Sequence, residues 1–393
     1  MIRVALIGVS GYGRCYLDAV RELTGDGLMR LVAACIVNRA EEGELWDELC
    51  AQGVRCFEES AAMWQEMRGR VDLTLVPTPP HTHCPLAIEA FSAGSHVLVE
   101  KPVATCVADA RRMEAASMNA SRRLFVGFQD LYIENNWNLK REFSRGDYGK
   151  LRSISFLGLW PRPISYYTRN TWAGRLKLGN QIINDTPVSN AFAHHLNLCL
   201  FFAGPDETTS AAGLEIEAEL SRANEIETFD TAALRITTDT GIPIHFFCSH
   251  ACGTNVAPII RIVTESATII WKFEEWILTR NGEHEEHRKL PAGLDTRTPM
   301  LGNIVKALRG ETADICTTEI AVASLAVSER LRELRVEKVS PSRIRRIQMA
   351  EDTLVSVEGI DETLKTCSES GLLPGEFEGG AMRTMLAQTY SVS

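Results

Sequence analysis

Residues 4–9 form an unbroken apolar run, the pattern of a strand covered on both faces. Tyr16, Leu17, Val20 and Leu23 then recur at helical spacing. Further strands are predicted over 31–37, 71–76, 97–99 and 124–126, with helices over 41–51, 85–93 and 107–116 between them. Such alternation predicts a parallel, doubly wound sheet. After about Gly127 the pattern changes. Stretches 153–159, 231–237, 243–250, 259–263 and 268–271 read as strands, often alternating in polarity. Turn signals at Thr240-Gly241 and Asn281-Gly282 separate some of them. Strands this close together pair antiparallel, so the second domain is expected to be α+β. One long apolar helix, 188–202, lies within it. The expected division is 1–127, 128–340 and a tail, 341–393, packed on the surface.

The first strand runs into Gly8-Val9-Ser10-Gly11-Tyr12-Gly13. Small residues there let the backbone approach a pyrophosphate, whose charge meets N–H groups at a helix N-terminus. The usual spacing is G-x-G-x-x-G; here Ser10 takes the middle position and Gly11 is extra. The alternative is a tight turn with no ligand. An NAD site asks for an acidic residue at the end of the second strand, near Ile36. Val37-Asn38-Arg39 comes next in the chain, and no carboxylate precedes Glu41 and Glu42 there. Arg39 suits a 2′-phosphate, which favours NADP, with NAD the alternative.

Glu100-Lys101-Pro102 closes a buried strand, at the end where open α/β sheets bind ligands. An ammonium near a cationic ring should have a depressed pKa, useful for proton transfer. Pro102 restricts Lys101 to an extended conformation and is a candidate for a cis bond.

The glycine turn, Thr78-Pro79-Pro80-His81-Thr82-His83, Ala93-Gly94-Ser95-His96-Val97 and Glu100-Lys101-Pro102 together resemble the Gfo/Idh/MocA family, the glucose–fructose oxidoreductase and inositol dehydrogenase type. Val126-Gly127-Phe128-Gln129 resembles that family's next strand, where Asn is more usual than Gln. The resemblance implies a Rossmann domain plus an α+β domain with a large, mainly antiparallel open sheet. It implies chemistry on sugars, inositols and related polyols with NAD or NADP, and a homodimer or homotetramer. The lysine matching Lys101 is the family's catalytic lysine. Gly8, Ser10, Gly11, Tyr12, Gly13, Asn38, Arg39, Thr78, Pro79, His83, Glu100, Lys101 and Gln129 are then the expected cofactor residues. The family also shows D-x-G-x-H on a helix, with His as acid/base. Counted back from Gly204, the His falls on His194, the Asp on Asn190 and the glycine on Phe192. Asp185 supplies the missing carboxylate or caps the helix.

Asn190, His194 and Asn197 fall at i, i+4, i+7, one face of the predicted helix, among apolar neighbours. A buried polar stripe costs ~1–3 kcal/mol per group unless hydrogen-bonded, so it binds something or is satisfied by neighbours. Residues 162–175 are rich in aromatics and arginines, which stack on sugar faces and hold hydroxyl or acidic groups. Arg162, Tyr167, Arg169, Trp172 and Asp185 are the expected substrate residues; the alternative is a connection that covers the sheet.

The formal charge of −10 argues against nucleic acid, which needs clustered Lys and Arg. Eleven unpatterned cysteines and no export-signal pattern read as reduced and cytoplasmic. No apolar stretch is long enough to span a bilayer. Cys248-Ser249-His250-Ala251-Cys252 has outer cysteines ~13 Å apart on a strand, too far to share one ion. The pairs His194/His195 with Cys199, and His284 with His287, are equally poor metal sites, so no metal is expected. The expected function is an NAD(P)-dependent oxidoreductase acting on CH–OH groups of a small polyhydroxylated substrate, with Lys101, His194 and Asn190 catalytic. The alternatives are a dinucleotide-binding regulator without turnover, or a lyase or hydrolase that uses bound NAD transiently.

Overall fold

A computed structural model describes residues 1–280, 284–290, 295–377 and 388–391. The predicted turn at Asn281-Gly282 lies outside them. The chain divides into two compact units, Met1–Trp137 with Asp295–Val322 and Asn138–Leu294 with Ala323–Ser393. The 295–322 segment, expected in the second domain, packs with the first.

The chain begins β1 (Ile2–Ile7), α1 (Tyr12–Gly25), β2 (Met29–Cys35), α2 (Gly43–Ala51), β3 (Arg55–Phe57), α3 (Ser60–Met67), β4 (Leu73–Val76), α4 (Pro80–Ser92), β5 (His96–Glu100), α5 (Val107–Asn119) and β6 (Leu124–Gly127). Six strands form one sheet in the order β3-β2-β1-β4-β5-β6. All are parallel. Val4–Leu6, Leu73–Val76 and Val97–Val99 are buried because helices cover both faces. Tyr16, Leu17, Val20 and Leu23 form the buried stripe of α1.

Then come α6 (Glu134–Arg145), β7 (Leu151–Leu159), α7 (Ile164–Thr168), β8 (Lys177–Leu178), β9 (Gln181–Ile182), α8 (Ala193–Ala203), β10 (Gly213–Arg222), β11 (Thr231–Thr238), β12 (Pro243–Ser249), β13 (Val256–Thr264), β14 (Ala267–Lys272), β15 (Glu275–Arg280) and β16 (His284–Lys289). Next are α9 (Arg297–Leu308), α10 (Thr318–Leu331), β17 (Glu337–Lys338), β18 (Ile344–Gln348), β19 (Thr353–Val357), α11 (Ile360–Ser370) and β20 (Gln388–Ser391). The second unit is a ten-stranded sheet ordered β16-β15-β14-β13-β7-β12-β11-β10-β17, with β20 also on β10. It is antiparallel except where β7 meets β12 and β10 meets β17. The fold class is therefore the expected α/β, a Rossmann sheet plus a mainly antiparallel one. No helix among the described residues is long and apolar enough to cross a membrane.

Two expectations change. The helix over 188–202 is broken. Pro187–Ala191 form a π-type turn capped by Thr186 and Ser189, and Phe192 (φ −107°, ψ 16°) separates it from α8. The tail is not a surface appendage. Val355, Val357, Ile360, Leu364, Cys367 and Leu373 form one core cluster with Leu157, Leu159 and Phe247 of the sheet. The spacing 360, 364, 367 is a helical stripe, which supplies this packing. Leu364 is fully buried, so Leu364→Ala should lower stability by about 2–5 kcal/mol, read as a drop in the urea midpoint with unchanged m-value.

Candidate active site

The glycine turn is shaped by close approach. Gly8 has φ 88° and Gly11, at the N-cap of α1, has φ 55°, values that favour glycine. A β-carbon on Gly13 would sit 2.1 Å from the Gly8 carbonyl oxygen, so only glycine lets α1 start this close to the end of β1. A β-carbon on Gly11 would meet nothing within 4 Å. The turn is thus an open cradle at a helix N-terminus, and it fits a dinucleotide pyrophosphate.

At the end of β2, Ile36 is fully buried where an acid would be expected. Ser10 Oγ donates to Asn38 Oδ1 at 3.0 Å, and Asn38 Nδ2 donates to Glu41 Oε2 at 2.9 Å. The carboxylate that the sequence lacks at this strand end is therefore brought back by the fold. Arg39 is engaged elsewhere: its guanidinium lies 4.4 Å from the Trp46 ring centroid and pairs with Glu58 at 3.1 Å.

At the end of β5, Glu100 is 6% exposed. It accepts from Tyr16 Oη at 2.7 Å and from the Lys101 backbone N–H at 2.9 Å. Burial pushes its carboxyl up, against the pull of Lys101 and Tyr16. Asp130, just beyond β6, is also buried. Burial pushes it up to about 7, while Lys101 and Arg297 draw it down and Glu100 adds to the rise. The Lys101-Pro102 peptide is cis. Tyr12 joins this cluster: its hydroxyl accepts from Gln129 Nε2 and from Arg297 Nη2, each at 2.9 Å.

His83, expected at the cofactor, is instead a brace. It is fully buried, with Nε2 2.8 Å from the Thr78 carbonyl and Nδ1 3.1 Å from that of Pro102. Two facing carbonyls ask for a doubly protonated ring, yet burial pushes its pKa down to about 4. At neutral pH one contact is then a close approach rather than a hydrogen bond. Either way His83 ties the 78–83 segment to Pro102. Thr78 is held by Thr82, hydroxyl to hydroxyl at 2.6 Å, and Pro79 is the N-cap of α4.

In the second unit His194 is the second residue of α8 and half-buried. Its neighbour His195 is 5% exposed, among Phe156, Trp160, Phe192 and Trp271. The expected polar stripe does not form. Asn190 lies on the π-type turn, and Asn197 is buried and donates to Ser324 Oγ at 3.4 Å. Phe192, at the family's glycine position, places its ring against Gly158, where a β-carbon would come within 2.6 Å of it.

Asp185 is 7% exposed and committed within the protein, not presented to a substrate. Oδ1 accepts from Asn190 Nδ2 at 2.8 Å and Oδ2 from the Gly174 N–H at 2.7 Å. It thereby joins the 162–175 loop to the turn ahead of α8. In that loop, Arg169 stacks 3.5 Å from the Tyr166 centroid and 5.4 Å from that of Trp172, and Arg162 lies 4.8 Å from Tyr166. Tyr167, Asn170, Arg175, Asn224, Glu227 and Arg346 line a cavity of about 620 Å³ beside the loop.

Residues 2–128 match the family model described as "Oxidoreductase family, NAD-binding Rossmann fold". They are similar to a Gfo/Idh/MocA NAD-binding domain. Among curated relatives, the 1-carboxy-3-chloro-3,4-dihydroxycyclohexa-1,5-diene dehydrogenase of Comamonas testosteroni is 28% identical over 48% of this chain and 47% of its own length. Inositol 2-dehydrogenase 1 of Saccharopolyspora erythraea is 32% identical over 36% of this chain and 42% of its own. The matches therefore span less than half of those Gfo/Idh/MocA relatives. Among solved structures, the WlbA dehydrogenase of Bordetella pertussis, in complex with NADH and UDP-GlcNAcA, aligns over 84% of this chain and 95% of its own at TM-score 0.68 and 23% identity. An NAD-binding oxidoreductase from Klebsiella pneumoniae aligns over 84% and 95% at TM-score 0.69 and 18% identity. At these identities the structures speak for the fold.

Sequence reasoning missed Tyr16, Glu41, Asp130 and Arg297. Asp130 had a signal, a carboxylate one residue past Gln129. Arg297 had none, since 285 residues separate it from Tyr12.

An acid raised in the folded state stabilises the fold below its unfolded pKa and loses that contribution as pH rises through the folded value. For Asp130 the window runs from the ordinary aspartate value of 3.8 to about 7. Asp130→Asn should therefore flatten the fall in Tm across that window and raise Tm at pH 8. An unchanged pH–Tm profile would remove Asp130 as its source.

Proposed function

We propose that the chain is an NAD(H)-dependent oxidoreductase acting on a CH–OH group of a small polyhydroxylated substrate. When bound, the dinucleotide supplies the hydride acceptor or donor. The carrying observation is Lys101 at the carboxyl end of β5, within electrostatic reach of buried Glu100 and Asp130, in the same unit as an open glycine cradle. Lys101 stabilises negative charge developing on the substrate oxygen. His194 takes the hydroxyl proton as general base and returns it in reverse. Asn190, held by Asp185, positions the turn that precedes α8. Gly8, Gly11 and Gly13 admit the pyrophosphate, while Ser10, Asn38 and Glu41 hold the adenosine ribose.

Glu41 supports NAD as the cofactor. A carboxylate held at Asn38 accepts from ribose hydroxyls and repels a 2′-phosphate, and Arg39 is engaged with Trp46 and Glu58. This supports NAD over the NADP that Arg39 alone favoured. The aromatic-arginine loop and its cavity suit a hydroxylated ring. The relatives' names, inositol 2-dehydrogenase among them, point to the same class. The cysteines, all free thiols, fit a reducing, cytoplasmic setting.

NADH should bind about tenfold more tightly than NADPH by fluorescence titration, and Glu41→Gln should narrow the gap. Equal or reversed preference would restore the NADP reading. With a substrate found in a panel of inositols, sugars and sugar acids, Lys101→Met and His194→Ala should each lower kcat by ~10²–10⁴-fold with little change in NADH affinity. A Lys101→Met variant at full turnover would end the lysine's assignment.

A further inference from the structure

The Tyr12 hydroxyl is held from two sides. Arg297 Nη2 and Gln129 Nε2 both donate to it, each at 2.9 Å. With two donors on its lone pairs, its own hydrogen is directed to a third partner. Arg297 also lies 4.8 Å from the Tyr12 ring centroid and pairs with Asp295 at 3.2 Å. Its Nε is buried without a hydrogen-bond partner among the described residues, as is Gln129 Oε1. A guanidinium is costly to desolvate in this way unless nearby negative charge offsets it. Here the Asp295 carboxylate, 3.2 Å from Nη1, supplies that charge. Tyr16, one turn further along α1, packs edge-on against Tyr12 at 6.0 Å and donates to Glu100. Arg297 and Gln129 thus meet at the first turn of α1, and Tyr16 ties the next turn to the end of β5.

Resting on the oxidoreductase reading, we propose that Arg297 is a positioning residue for the dinucleotide. Together with Gln129 it holds the Tyr12 hydroxyl as part of a preformed polar wall for the nicotinamide half. No motif marks it, and it enters the first unit on α9, after eight strands of the ten-stranded sheet have intervened in sequence.

The test compares two ligands that differ only in the nicotinamide portion. Wild type, Arg297→Met, Arg297→Lys, Tyr12→Phe and the Arg297→Met/Tyr12→Phe double variant are titrated with NADH and with ADP-ribose, with Tm measured on each. Arg297→Met should weaken NADH about tenfold, the size of one charge-assisted hydrogen bond, and leave ADP-ribose within about twofold. Tyr12→Phe should give a similar selective loss. The double variant should be no worse than the worse single one, because the residues act as a unit. Arg297→Lys should recover part of the affinity by keeping the charge. The proposal falls if Arg297→Met binds NADH like wild type. It also falls if NADH and ADP-ribose weaken alike as Tm drops, since that marks support of α9 alone. Wild type that binds neither ligand overturns the oxidoreductase reading and this inference together.

Discussion

The absence of a side chain at Gly13 is the constraint on which the first unit turns. With the Gly8 carbonyl 2.1 Å from where a β-carbon would stand, α1 begins directly on the end of β1. That placement delivers Tyr12 and Tyr16 to the ends of β5 and β6, where they meet Gln129 and Glu100. A larger residue would push the helix away and separate both tyrosines from their partners. The cradle for phosphate and the polar cluster near Lys101 therefore have one structural cause.

Electrostatics in the cluster follow from burial. Two carboxyl groups at strand ends, both nearly inaccessible, would each tend to stay protonated. Lys101 and Arg297 oppose that tendency, as do the hydrogen bonds to Glu100. The result is a patch whose charge state is poised rather than settled, a common setting for groups that pass protons. His83 and His195 show the contrasting outcome: burial drives both pKa values down, and both serve packing.

The first sheet was legible because strands covered on both faces read as apolar runs: 4–9 and 97–99 are such runs, and 71–76 is one interrupted by Asp72 and Thr74. The second was partly legible. β10, Gly-Leu-Glu-Ile-Glu-Ala-Glu-Leu-Ser-Arg, alternates correctly but is written in helix-forming residues, so it passed unnoticed. The break at Phe192 was hidden because apolar periodicity does not distinguish a π-type turn from a helix. The tail carried a readable stripe at Ile360, Leu364 and Cys367. Asn38 to Glu41 and Tyr12 to Arg297 depend on turn geometry and on chain return, which no local pattern encodes.

The return of 295–322 to the first unit has a consequence for biosynthesis. Cys316 accepts from the Val126 backbone N–H and donates its own N–H to Tyr132, while Thr298 donates to Glu22. None of these bonds can form before the strands from β7 to β16 have been translated. The nascent Rossmann half must wait, with the α1 surface destined for α9 exposed, until nearly three hundred residues have emerged. The first sheet can pair early, but its unit is completed only when α9 and the segment to Val322 return to it.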